Sequence, residues 1–125
     1  MSVYRRYEVL SSGQCLAMYV KRKRITNGCS AWIVSVCIFP TKRECDYWFR
    51  NQDKVVEKSR SSKGIEGLML AARWLKELKR MIRRGDKIVI FWTDGRRHSA
   101  FRYLKRFGFR EGVAFDRPCY YLEIL

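Results

Sequence analysis

The chain of 125 residues carries 27 Lys plus Arg against 12 Asp plus Glu, a formal net charge of +15, and 47% of it is hydrophobic. That length and apolar content describe one globular domain with a core of its own, and exclude a disordered tail or a domain that needs a disulfide or metal staple. No run of about 18 apolar residues is present to span a membrane, and MSVYRRYEVL at the N-terminus has no apolar signal core.

The first 40 residues predict antiparallel strands. Tyr4 to Leu10, the turn Ser11-Ser12-Gly13 and Cys15 to Val20 form a hairpin. Asn27-Gly28, whose residues tolerate the positive φ of a type I′ turn, joins a strand running to about Ile25 to a second over Ala31 to Phe39. AWIVSVCIF is apolar on both faces and belongs in the middle of a sheet, and Pro40 ends it. Thr41 and Glu44 stand at capping-box spacing and predict a helix over about 42–57, with Cys45, Trp48, Phe49, Gln52 and Val56 on one face. A strand over Cys45 to Arg50 is the alternative.

After the polar loop 59–64 comes the clearest helix, in which Ile65, Leu68, Met69, Ala72, Leu75, Leu78 and Ile82 form one stripe, with Lys76, Lys79, Arg80 and Arg83 outside it. Gly85-Asp86 stops that helix. KIVIFW at 87–92 is a second buried strand, and Thr93-Asp94-Gly95 leads into a short helix from His98 to Phe107, capped by Gly108. Strands around Phe109 to Phe115 and Cys119 to Ile124, with 116–118 turning between them, close the chain. The order β-β-β-α-α-β-α-β-β predicts a single α+β domain with helices packed on a mixed sheet.

The cysteines, at 15, 29, 37, 45 and 119, are odd in number, and none form Cys-x-x-Cys. With a single His in the chain, they fit no zinc spacing. We expect buried or half-buried free thiols in a reducing cytoplasm.

The loop Arg60-Ser61-Ser62-Lys63-Gly64 feeds the start of the long helix. Unpaired N–H groups and the positive end of the helix dipole make such a place suited to phosphate, although an ordinary capped helix start has the same composition. SRSSKGIEGLMLAARWLKEL, KIVIFWTDGRRHSAFRYLKRFGFRE and CYYLEIL together resemble the GNAT acetyltransferases over residues 59–125. Lys63-Gly64-Ile65 is similar to their pyrophosphate loop, Phe107-Gly108-Phe109-Arg110 to the end of their short helix, and Tyr120-Tyr121-Leu122-Glu123 to their last strand. The resemblance implies a GNAT-like mixed β-sheet flanked by helices, acetyl-CoA or a related acyl-CoA as cofactor, and group transfer to an amine. It departs at two places: the second loop Gly/Ala falls on Glu66, and the general-acid Tyr falls on Leu104, with Tyr103 one residue earlier.

Asp94, His98 and Tyr103, together with Ser59, Ser61 and Arg73, also resemble the Mom-type DNA-modifying proteins of phages, which look like divergent GNATs. That resemblance implies an adenine acceptor and assigns Asp94, His98 and Tyr103 as catalytic. Asp94 ends a buried strand, where ligands gather in open sheets, and an imidazole such as His98 suits proton transfer. Each has a structural reading as well: Asp94 as a helix cap, His98 as an exposed helical residue, and Tyr103 as core. On a helix, positions 98 and 103 lie about 140° apart and share no face.

Residues 60–110 hold fifteen Lys/Arg against four Asp/Glu, a net of +11, and Lys21-Arg22-Lys23-Arg24 is a second basic cluster. These clusters, with Arg83, Arg84, Arg96 and Arg97 foremost, point to nucleic acid as partner. Metal-dependent hydrolysis on an RNase H-like scaffold would need convergent carboxylates, and the first strand offers only Glu8. The sequence thus leads to acyl-CoA-dependent transfer to nucleic acid or a nucleic-acid-associated amine. The alternative, favoured by Glu66 and Leu104, is a non-catalytic basic module that binds nucleic acid or protein on the same scaffold.

Overall fold

A computed structural model describes residues 3–26, 28–51, 66–91, 104–114 and 117–124. The elements in chain order are β1 (Val3–Val9), β2 (Cys15–Thr26), β3 (Cys29–Phe39), α1 (Lys42–Arg50), α2 (Glu66–Met81), β4 (Lys87–Phe91), β5 (Arg110–Ala114) and β6 (Arg117–Glu123). They build one α+β domain around a six-stranded mixed sheet of order β1-β2-β3-β4-β6-β5. Only β3 and β4 run parallel; every other neighbouring pair is antiparallel.

The antiparallel register follows the hydrophobic alternation. Leu16, Met18 and Val20 of β2 share one face with Val34 of β3 and with Ile88 and Ile90 of β4, and α2 covers that face with Leu70, Trp74, Leu75, Leu78 and Ile82. Cys15 and Ala17, pointing the other way, meet Cys37, Phe39 and the Cys45, Trp48 and Phe49 side of α1. β3 is apolar on both faces because both are covered, and it lies inside the sheet as its sequence predicts. β2 is a single strand of 12 residues, so Cys15 to Val20 and the stretch to Ile25 are one element. Thr26 pairs with Cys29, and Gly28 has the positive φ of 82° that the connection requires.

α1 is a helix and not a strand. The N–H of Glu44 donates to Thr41 Oγ1 at 3.4 Å, and the helix ends with Asn51 as its cap, so it stops at Arg50 where the pattern ran on to 57. Residues 52–57 lie outside those described. The stripe of α2 is rotated from the predicted one. Met69 is exposed, and Trp74, which the stripe omitted, is 1% exposed. The two positions lie about 140° apart around a helix, so one narrow face cannot bury both. Trp74 has the larger apolar body, and the Arg6 guanidinium lies 4.9 Å from its ring centroid while bonding Glu77 one turn further on.

The short helix expected from His98 to Phe107 is described only over Leu104 to Arg106, one helical turn; residues 98–103 lie outside those described. It closes as a Schellman motif. The N–H of Phe109 donates to Leu104 O at 3.0 Å and that of Gly108 to Lys105 O at 3.1 Å, with Gly108 at φ 94°. Arg117 and Pro118 belong to β6, where a turn was expected; Ala114 pairs with Arg117 and Val113 with Pro118, which shortens the hairpin connection.

Cys15, Cys37, Cys45 and Cys119 are buried and Cys29 is half-buried, all as free thiols. Burial pushes the Cys45 thiol up to about 12, with the neighbouring Cys15 adding to it, and burial raises Cys15 and Cys119 as well. These groups stay protonated and unreactive near neutral pH.

Truncating Leu78, 2% exposed beneath α2, removes side-chain atoms that the close-packed core cannot replace. Leu78→Ala is therefore expected to cost about 2–5 kcal/mol. Met81→Ala, three residues on but facing solvent, should stay within about 0.5 kcal/mol of the parent. Urea unfolding of the two variants checks the assignment of faces, and equal losses would contradict it.

Candidate functional site

Two ends of the sheet differ in character. At the first lie the carboxyl ends of the parallel pair β3 and β4. Among the described residues their register runs from Ala31↔Lys87 to Val34↔Ile90, and residues 35–39 of β3 pair with β2. The chain leaves β3 for α1 on one face of the sheet, and Leu104, the first described residue after β4, packs on the opposite face. The carboxyl ends of adjacent parallel strands are the usual place for a ligand in such sheets.

The start of α2 lies at this same end. The Glu66 carboxylate accepts from the Ser11 backbone N–H at 3.1 Å and from the Ser11 hydroxyl, which ties the helix to the β1–β2 turn. These side-chain and backbone hydrogen bonds hold Glu66 below the ordinary glutamate range, so a full negative charge sits at the amino end of the helix at neutral pH.

Arg60, Ser61, Ser62, Lys63 and Gly64, and likewise Asp94, His98 and Tyr103, lie outside the described residues, as do Arg96 and Arg97. Leu104, at the position matching the family's general acid, is buried among Phe109, Tyr120 and Ile90 of the core. It packs, and it offers no proton.

The second end is basic. Arg83, Arg84, Gly85 and Asp86 connect α2 to β4 and are drawn against the start of β3. The Asp86 carboxylate, 2% exposed, accepts from the Ser30 N–H at 2.9 Å through Oδ1 and from the Trp32 Nε1–H at 3.0 Å through Oδ2. Its backbone N–H donates to Arg83 O and its carbonyl accepts from Ile124 N–H. A Cβ placed on Gly85 would come within 3.5 Å of Cys29 Sγ, so this connection lies close against β3. β2 crosses the same place, with Arg22 opposite Trp32 and Arg24 opposite Ser30. Arg22 donates from Nε to Ser30 Oγ at 3.0 Å, and its guanidinium lies 5.5 Å from the Trp32 ring centroid.

The structure thus brings together Lys21 to Arg24 and Arg83-Arg84, which lie 59 or more positions apart in the chain. It also divides them. Strand alternation puts Arg22 and Arg24 on the α2 side of the sheet, with Lys21 and Lys23 on the other. Asp86 is the organising residue that sequence reading missed. Its place after Gly85 marked only a helix stop, and no local signal shows that its partners are Ser30 and Trp32. Among the described residues, no three His, Cys, Asp or Glu side chains are grouped to hold a metal ion, and no helix is long and apolar enough to cross a membrane. No protein-family model, curated protein or solved structure matches the chain.

Because Glu66 titrates lower folded than unfolded, its contact with Ser11 stabilises the fold fully above the unfolded glutamate range and is lost as pH falls through the folded value. In a carboxyl NMR titration Glu66 should titrate below the ordinary range, and Ser11→Ala should raise it. An unmoved value in that variant would remove Ser11 as the cause.

Proposed function

We propose that this protein is a GNAT-like, acyl-CoA-dependent group transferase whose acceptor is nucleic acid or an amine associated with it. The parallel pair β3 and β4 carries the reading: α2 begins at the sheet end where these two strands have their carboxyl ends, the usual place for a ligand in such sheets. The mixed sheet adds support: a long helix leading into a strand, and a terminal hairpin of β5 and β6, are in keeping with what the resemblance implies.

In this reading the backbone N–H groups of Ser61 to Gly64 cradle the cofactor's pyrophosphate, and Arg60 and Lys63 add charge. Asp94 or His98 takes the acceptor's proton, and Tyr103 protonates the departing thiolate, since Leu104 has no proton to give.

A second reading, a binding module without catalysis, rests on Glu66. A carboxylate at the first turn of α2 already complements the helix dipole and repels a pyrophosphate placed there.

Calorimetric titration with coenzyme A separates the two. The transferase reading expects binding that Gly64→Val abolishes by blocking close approach of the phosphates. It also expects Asp94→Asn or His98→Ala to lower transfer by about 100-fold with little change in Tm. Absence of heat and of thermal shift at millimolar coenzyme A would overturn it in favour of the binding module.

A further inference from the structure

We infer that the end of the sheet opposite the start of α2 is a docking surface for the phosphate backbone of a nucleic-acid duplex, built by Arg22, Arg24, Arg83 and Arg84. This deepens the acceptor side of the proposed function, but it stands on different residues and needs no cofactor.

Three observations carry it. First, the cations are gathered by the fold. Arg22 and Arg24 come from β2 and Arg83-Arg84 from the far side of α2, and the Asp86 carboxylate fastens the two segments through Ser30 and Trp32. The surface is held by buried hydrogen bonds, so little ordering is left for binding to impose.

Second, the charge is uncompensated. The described carboxylates at this end are Asp86 and Glu123. The oxygens of Asp86 are taken by Ser30 and Trp32, and Glu123 pairs with Lys87 at 3.3 Å. Among the described residues no carboxylate pairs with Arg22, Arg24, Arg83 or Arg84, all of which are exposed. An anionic partner would supply the counter-charge that no described carboxylate gives these four arginines.

Third, the chemistry is that of phosphate recognition. The four residues of the surface are all arginines, whose planar forks match phosphate oxygens. The charge continues along the outer face of α2 through Arg80, Lys76 and Arg73, exposed at four- and three-residue spacing over about 10 Å of helix. A line of charge fits a rod-like polyanion. An anionic membrane fits less well: among the described residues, Ile25 and Met81 are the exposed large apolar side chains at this end, too few to make an apolar face that sinks into lipid.

The placement has a consequence. From Ser30 to residues 35–39 the strand β3 covers about 17–30 Å at ~3.3 Å per residue. A duplex held at the basic end would therefore present to the carboxyl end of β3 a position about five to nine base pairs from its anchor at 3.4 Å per pair.

The test is fluorescence anisotropy with labelled 20-base-pair DNA and RNA duplexes, the matching single strand, and vesicles of mixed phosphatidylserine and phosphatidylcholine, between 50 and 200 mM salt. Duplex binding tighter than about 100 μM at 50 mM salt is expected. Four phosphate contacts give a log–log salt slope near −3.6, about a 150-fold loss over that range. The combined variant Arg22→Ser, Arg24→Ser, Arg83→Ser, Arg84→Ser should flatten that slope while keeping its Tm. A second variant, Arg5→Ser, Arg43→Ser, Arg50→Ser, removes three exposed arginines from the α1 side and should leave the slope in place. Equal slopes in the parent and the first variant, equal flattening in both variants, tighter binding to vesicles, or no duplex binding would overturn the assignment. Coenzyme A is absent from every arm, so failure here is distinct from failure of the transferase reading.

Discussion

A buried carboxylate holds this molecule's geometry together. Asp86 lies at the point where the chain leaves α2 and enters β4, and both of its oxygens accept from groups at the start of β3. One side chain thereby fastens the end of the helix to the edge of the central sheet and sets where β4 begins. Its backbone continues the tie, since Ile124 donates to the Asp86 carbonyl and accepts from Gly85. A charged group in such a place is tolerated because hydrogen-bond donors meet it; without them its desolvation would be far more costly than the contact is worth.

The two faces of the sheet are buried by different means. α2 lays aliphatic side chains and Trp74 over β2, β3 and β4. α1 is shorter and relies on aromatic packing, with Trp48 against Phe39, Phe49 and Tyr19 at ring separations of 5.4, 5.3 and 6.1 Å. Small thiols, Cys15, Cys37 and Cys45, fill the space beneath those rings. Burial raises the Cys15 and Cys45 thiols, which makes them packing groups, in keeping with a chain whose cysteines form no ligand pattern.

The two ends of the sheet carry opposite charge. The start of α2 with Glu66 occupies one end, and the arginines gathered by Asp86 occupy the other. The same helix separates them and links them, because its amino end meets Ser11 and its carboxyl end leads to Asp86. The charge on Glu66 bears on the first end and the charge on Arg83 and Arg84 on the second.

Periodicity and turn chemistry made most of the fold legible in the sequence. Alternation in β2, the two-sided apolar run of β3, the Thr41 cap and the Gly108 stop are local properties, and each acts over a few residues of chain. The same local physics made the basic clusters visible as charge. Tertiary structure alone decided three matters. It chose which stripe of α2 faces inward, because Trp74 outweighs Met69 only when a sheet and Arg6 are there to receive it. It ended α1 at Arg50, where Asn51 turns its N–H back to Trp48 O, although the helical pattern continued. And it joined Arg22 and Arg24 to Arg83 and Arg84 while sending Lys21 and Lys23 to the opposite face. That last result depends on strand register and on a buried carboxylate whose partners are more than fifty positions away, and pairings at such separation leave no local mark in the sequence.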